Sequence, residues 1–321
     1  MSHSFETIAA FRYGYGFAPR EPDVQSVDGL VGQVLGPDVG LGLHRGPDFT
    51  TRLGLSREYV QLKRKIKKGD ESVKPQLRRN NKTRNKLKAD DNRNVFLRAA
   101  FSGQGFRERL VQFWADHFTV VPKSRGGQVI WGNYQEAAIR PHVGGHFADM
   151  LVAAVTHPSM TLFLDQVKSV GPKSPIGRKK KKRRFGLNEN LAREVLELHT
   201  LGAGGRYAQT DVRQLAELLT GLVVGPDGVA FNVDQAEPGT ETVLGRTYGG
   251  DPARLSDIET FLRDLAVHPD TANHVAHKLA VHFVSDYPDA DMVQAMAQTF
   301  RRTEGHLPSV YGAMLDHPAA W

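Results

Sequence analysis

The sequence predicts a mainly α-helical protein, a single multi-helix domain over residues 1–321 with one small β-hairpin. Apolar residues recur at helical spacing through most of the chain, and strand-like alternation is confined to one stretch. With 321 residues, 40% of them hydrophobic, the chain can bury a large core without cross-links. There is no cysteine, which excludes thiolate nucleophiles, Cys-zinc sites, iron–sulfur ligation and disulfide scaffolds.

Each element follows from its pattern. Glu108 to Thr119 places Leu110, Phe113, Trp114, His117 and Phe118 on one side of a helix. Phe147 to Thr156 is a second apolar helix, closed by His157-Pro158. Asp211 to Thr220 keeps Val212, Leu215, Ala216 and Leu219 in register, with Thr210 as the expected N-cap and Gly221 as the stop. From Asp270 to Val284 a further stripe runs through Ala272, Val275, Ala276, Leu279 and Phe283. His-Pro recurs at His157, His268 and His317, each time closing an apolar helix. An imidazole suits the negative end of the helix dipole, and the residue before proline leaves helical geometry. Val229 to Tyr248 alternates enough for the one hairpin, while Gly36 to Pro47 and Val167 to Arg184 read as loops.

Charge is unevenly spread. The net charge is +7, yet Gln61 to Asn94 alone holds 13 Lys/Arg against 4 Asp/Glu. Lys168 to Arg184 holds 9 Lys/Arg and no acid, so each segment is +9 and the remainder is −11. An acidic body thus carries two basic, partly flexible segments, 61–94 and 168–184, suited to polyanions in a salt-dependent way. Neither a signal-like apolar h-region nor a run of about 18 apolar residues is present, which predicts a cytoplasmic location and no transmembrane segment. No P-loop, dinucleotide-binding glycine motif, nucleophile-elbow or H-E-x-x-H pattern occurs.

Chemistry concentrates in Asn188 to Gly205, NENLAREVLELHTLGAGG. With Asn188 as N-cap and Gly202 as the stop, a straight helix puts Leu191, Ala192, Val195, Leu196, Leu198 and His199 on one face. Glu189, Asn190, Arg193, Glu194 and Glu197 fall on the other. Two readings stay open. The polar face is solvated, with Glu189–Arg193 an ordinary i,i+4 pair. Or Glu194 and Glu197, one turn apart, share a divalent metal or split their pKa values for acid–base work. His199 is at i+5 from Glu194 and joins such a set only if the helix unwinds near Thr200. His117 reads either as a core histidine packed on Trp114 and Phe118 or as a ligand facing this helix. His274 and His277 read as solvent-exposed, and Gly144-Gly145 spoils the pairing of His142 with His146.

The stretch resembles the bacterial domain-of-unknown-function 1800 family (DUF1800). Its signature stands here as Asn188-Glu189-Asn190, Ala192-Arg193-Glu194, Glu197-Leu198-His199-Thr200 and Gly202. Phe11 to Gly16, Glu108 to Val120, Ile139 to Asp165 and Tyr207 to Gly221 are similar to its other blocks. Ala115 departs from the pattern, standing where relatives often carry a second histidine. The family has no established activity. Its members are often encoded beside a sulfatase- or phosphatase-like family, which implies a partner protein of that kind. The resemblance also implies a polar helix face buried against polar partners.

Two functions are therefore expected. In the first, the chain is a metal-dependent enzyme of unknown reaction. Its metal ligands are His117, Glu194, Glu197 and His199; Glu194, Glu197 and Arg193 are catalytic; Asn188 and Asn190 fix geometry. In the second, it is a non-catalytic scaffold that binds a polyanion or partner protein through the basic segments, including Lys179, Lys180, Lys181 and Lys182. An anion steered to the start of the signature helix fits either.

Overall fold

The computed structural model describes residues 4–17, 24–123, 127–179 and 186–321. Helices make up 65% of the protein and strands 6%, so the architecture is mainly α. The first part runs through α1 (Phe5–Ile8), α2 (Val27–Leu35), α3 (Val39–Leu43) and α4 (Phe49–Lys67). The long helix α5 (Lys74–Phe101) folds back on α4. Then come α6 (Gly105–His117), α7 (Gln128–Trp131), α8 (Phe147–Thr156), α9 (Pro158–Phe163) and α10 (Pro175–Lys179). Helix α11 (Asn190–Glu194) runs straight into a π-helical segment, Val195–Thr200, and α12 (Gln209–Leu218) packs beside it. After the strands the chain closes with α13 (Leu255–Ala266), α14 (Pro269–Phe283), α15 (Ala290–Arg302) and α16 (Leu307–Leu315).

One continuous apolar core carries most of the fold. Phe106, Leu110, Phe113 and Trp114 of α6 pack there with Phe147, Phe283, Phe300 and Tyr311. Burying each such side chain stabilises by about 1.5–3 kcal/mol. Two of the polar groups carried inside find partners: Trp114 Nε1 donates to the Tyr311 hydroxyl at 2.7 Å, and Tyr134 donates to the Phe118 carbonyl at 3.1 Å. The FRYGYG stretch works here too. Tyr13 is fully buried and donates its hydroxyl to the Ala320 carbonyl, which ties the two ends of the chain together.

Four arginines buried in this body each face a carboxylate. Arg140 is fully buried and forks to both oxygens of Glu108 and both of Asp38 at 2.6–2.9 Å. Arg107 lies 3.7 Å from the same Asp38. Arg52, also fully buried, takes Asp91 bidentately and the Val129 carbonyl. Arg98 holds Glu136 and the His44 carbonyl. Helix α3 runs so close that a Cβ at Gly40 would collide with the Glu108 carboxylate. These pairs join α3, α4, α5 and α6 to the segment around Glu136 and Arg140.

Several expectations need correcting. Among the described residues there are two hairpins rather than one: β1 (Leu222–Val224) with β2 (Val229–Phe231), and β3 (Gly239–Val243) with β4 (Arg246–Gly250), all antiparallel. A link at 232–238, ending in Pro238, separates strands that the alternation merged. Gly36 to Pro47 and Val167 to Arg184 are not plain loops, because they hold α3 and α10. The basic segment 61–94, whose pattern also fits a charged helix, is almost wholly helical, in α4 and α5. Helix α12 starts two residues early. Its end is held by Asp211, whose carboxylate accepts from Ala208 N at 2.8 Å, so Thr210 is not the cap.

The His-Pro pairs also act differently. His157 Nδ1 accepts from Ser159 N at 3.1 Å, His268 Nδ1 from Asp270 N at 3.1 Å and His317 Nδ1 from Ala319 N at 3.2 Å. Each histidine caps the helix that follows it, with proline at the first helical position. A cap that accepts through Nδ1 must be neutral there, so the dipole argument for a cation does not apply.

Replacing Glu108 with Ala leaves Arg140 buried with one fork empty. We expect a loss of about 3–5 kcal/mol in chemical denaturation. A loss below about 1 kcal/mol would mean that the pair contributes nothing to the native state.

Candidate functional site

The signature helix begins with its backbone tied down. Asn188 Oδ1 accepts from Asn190 N at 3.0 Å, and its Nδ2 donates to the Leu164 carbonyl at 2.8 Å. Asn188 N donates to Ser169 Oγ at 3.0 Å. Asn188 is thus committed to structure, while Asn190 is exposed. From Val195 the helix widens instead of unwinding. Leu201 N bonds to the Leu196 carbonyl five residues back, and buried Thr200 Oγ1 donates to the Val195 carbonyl at 2.5 Å. The widening turns Leu198 outward to 50% exposure, against the expected apolar face, while His199 stays at 3%. Gly202 has φ +86, and a Cβ there would lie 2.9 Å from His274 Nδ1.

Two carbonyls at the end of this widened helix are met by imidazoles from other helices. His117 Nε2 lies 3.0 Å from the His199 carbonyl, and His274 Nε2 3.2 Å from that of Leu198. A carbonyl can only accept, so both rings carry their proton on Nε2. His117 and His199 are fully enclosed, with Nδ1 unpartnered on each. Burial lowers the pKa of both, His199 to about 3, and Lys278 lowers them further. His117 packs on Trp114 and Phe118 with ring centroids at 5.3 and 4.6 Å. His274, read from the sequence as solvent-exposed, is half-buried, with its ring 6.2 Å from that of His117. Its place off the apolar stripe of α14 concealed that role.

The carboxylates point the other way. Arg193 Nη2 donates to Glu189 at 3.0 Å and to Gln209 Oε1 at 2.6 Å, and Arg193 Nη1 lies 3.5 Å from Glu197. Gln209 Nε2 donates to Glu189 at 2.9 Å. Tyr207 also interacts with Glu197, which with burial raises the phenol pKa. Burial first, and Glu197 second, raise the pKa of Glu194. Among the described residues no cation pairs with Glu194. This polar face is half-buried, and not enclosed as expected.

The four expected metal ligands are consequently not assembled. His117 and His199 sit inside the core while Glu194 and Glu197 face outward, and neither carboxylate acts on the pKa of His199. Among the described residues no three His, Asp or Glu side chains form a group able to hold a metal ion. Lys179 is exposed at the end of α10; Lys180, Lys181 and Lys182 lie outside the described residues.

Sequence reasoning missed a second carboxylate cluster. Glu217 of α12, Glu241 of β3 and Glu237 are each under 8% exposed. Glu237 accepts from Lys173 N at 2.8 Å and lies 3.5 Å from its Nζ, while Gln214 and Arg213 hold Glu217. Burial, then Glu217 and Glu237, push Glu241 up to about 7. These glutamates are 20 or more residues apart or on different elements, so no local pattern announces them.

Fold and site together define a class: a mainly α-helical protein whose polar helix face is anchored from behind by neutral histidines. Residues 9–321 match the family described as protein of unknown function, DUF1800, and the chain belongs to it. No curated protein and no solved structure matches the chain.

Two pH effects oppose one another. A histidine whose pKa is lowered on folding gives stability that is lost as pH falls below its usual 6.5. A carboxyl whose pKa is raised gives stability that is full below 4.5 and lost as pH rises through about 7. Tm measured across this range should fall toward low pH for the native chain. Glu241→Gln should raise Tm at pH 8 and leave it unchanged at pH 4.5. An equal effect at both values would show that Glu241 does not titrate as described. Gly202→Ala should destabilise by about 1–3 kcal/mol, through left-handed strain and contact with His274; an unchanged Tm would contradict that.

Proposed function

We propose that the chain is an enzyme that works by carboxyl acid–base chemistry on the outward face of α11 and its π-helical continuation. The observation that carries this reading is the asymmetry of Glu194 and Glu197. They are neighbours, yet Arg193 lies against Glu197, and among the described residues no cation pairs with Glu194, which has the like charge of Glu197 beside it. Neighbouring carboxyls in unequal surroundings separate into a proton donor and a proton acceptor. Glu194 takes the part of the acid and Glu197 that of the base. Arg193, held by Glu189 and Gln209, orients Glu197 and is not available to bind a substrate anion. Asn188 fixes the start of the helix, and the imidazoles of His117 and His274 fix its end.

The test is turnover of nitrophenyl esters, glycosides and phosphates by the purified chain across pH. Glu194→Gln and Glu197→Gln should each lower the rate by about 10²–10⁴-fold. Both side chains are half-exposed, so Tm should move by little. Variants that fold and retain the full rate would overturn the assignment, as would a native chain that turns over none of the three classes.

A second reading has its own observation. The surface of α4 and α5 exposes Lys65, Lys67, Lys68, Lys82 and Lys88 along one helical pair. Such a field binds an anionic polymer without regard to its sequence. Retention on immobilised heparin should then fall steeply with salt, and chains with these five lysines changed to Gln should elute early. Unchanged elution would remove this reading.

A further inference from the structure

Five arginines of the described structure are more than 90% buried: Arg52, Arg84, Arg98, Arg107 and Arg140. Four face a carboxylate: Asp91, Glu136, Asp38, and Asp38 with Glu108, respectively. Arg84 is the exception. It is 7% exposed, and among the described residues no acid pairs with it. Its guanidinium lies 4.1 Å from the centre of the Tyr59 ring, and Nη1 donates a long 3.4 Å bond to Asn81 Oδ1. Its Nε is buried with no partner. Glu58, on the neighbouring turn, is taken by Asn80 at 2.7 Å and Gln76 at 3.2 Å.

An arginine stays protonated at any ordinary pH. A buried cation without a counter-charge is costly unless something supplies one. The surroundings of Arg84 offer room for it. A cleft of 430 Å³ opens between α4, α5 and α7, lined by Tyr59, Lys63, Asn81, Arg84, Asn85 and Gln128. With Leu77 it offers two cations, three amides and a phenol, and among the described residues no carboxylate lines it. Lys63 is exposed and likewise has no acidic partner among the described residues. Amide donors and a planar guanidinium suit a tetrahedral oxyanion, which accepts several bonds at once. The volume exceeds what a bare ion needs and matches small-molecule sites.

We propose that this cleft binds a small molecule through a phosphate or sulfate monoester group, with Arg84 and Lys63 as its counter-charges. The oxyanion sits against the guanidinium and completes a pairing that the other four buried arginines already have within the chain. Asn81, Asn85 and Gln128 supply the remaining donors, and the Tyr59 ring backs Arg84. This site is separate from Glu194 and Glu197, and it is a single discrete pocket rather than the diffuse field of the exposed lysines.

The test is calorimetric titration of the full chain at constant ionic strength with phenyl phosphate, phenyl sulfate and, as a control, phenyl acetate. One ester should bind saturably at one site per chain, and the neutral control should not. The relative affinity of the two esters decides which oxyanion the cleft takes. Arg84→Met and Lys63→Gln should each weaken binding by about 10- to 100-fold, the loss of one charge-assisted bond. Heparin retention should stay nearly unchanged in Arg84→Met, which separates this pocket from general polyanion binding. Lys63 is exposed, so Lys63→Gln tests the site even if Arg84→Met fails to fold. No saturable binding by either ester would overturn the proposal, as would equal affinity in Lys63→Gln and the native chain.

Discussion

Much of this protein depends on a hydrogen bond between an imidazole and a backbone carbonyl. A helix that ends inside a protein leaves its last carbonyls without partners. Here the ending is a widened one, and two of those carbonyls belong to Leu198 and His199. Histidines of α6 and α14 reach in to donate to them. Each ring donates its Nε2 proton to the carbonyl it meets, while burial holds its pKa below the usual histidine value. Because the two donors come from separate helices, the bonds set where α6, α14 and the signature helix stand relative to one another. The outward carboxyls owe their positions to that anchoring behind them.

Charge inside the body follows a different rule. Buried ion pairs are seldom the strongest way to stabilise a fold, yet an unpaired partner is expensive. The fork of Arg140 between Glu108 and Asp38 therefore acts as a constraint on arrangement: α3 and α6 cannot part without exposing the shortfall. Glu217, Glu237 and Glu241 show the opposite case, carboxyls crowded where water is scarce, eased by the raised pKa of Glu241 and by Lys173 beside Glu237. Arg84 lies between the two, a cation enclosed like the others but lacking an acid.

What the sequence disclosed follows from how local each feature is. Helical periodicity is a local property, and the apolar faces of α6, α8, α12 and α14 were legible from it. The segment holding Glu194 and Glu197 was legible as well, because its polar residues are contiguous. The π-helical widening was not, since nothing in VLELHT distinguishes five-residue from four-residue bonding. That single change sent Leu198 outward, while His199 kept the apolar side that a straight helix already gave it. Nothing local marks Arg52 and Arg140 as buried, since their acids lie 39 and 32 or more residues away. His274 was hidden for the same reason: its partner is a carbonyl 76 residues distant. The two hairpins merged in the reading because short strands leave little alternation to count.

The histidine corners carry a consequence for how the chain tolerates change in length. His157 is at once the C-cap of α8 and the N-cap of α9, with no other residue between them. Ordinary helix connections hold slack that absorbs an added or missing residue at small entropic cost. A corner made from one shared residue holds none. An added residue would give each helix its own terminus and leave one of them uncapped. At such points the spacing of the chain is fixed as tightly as its chemistry, and length variation in this architecture should collect elsewhere, in the connections that have residues to spare.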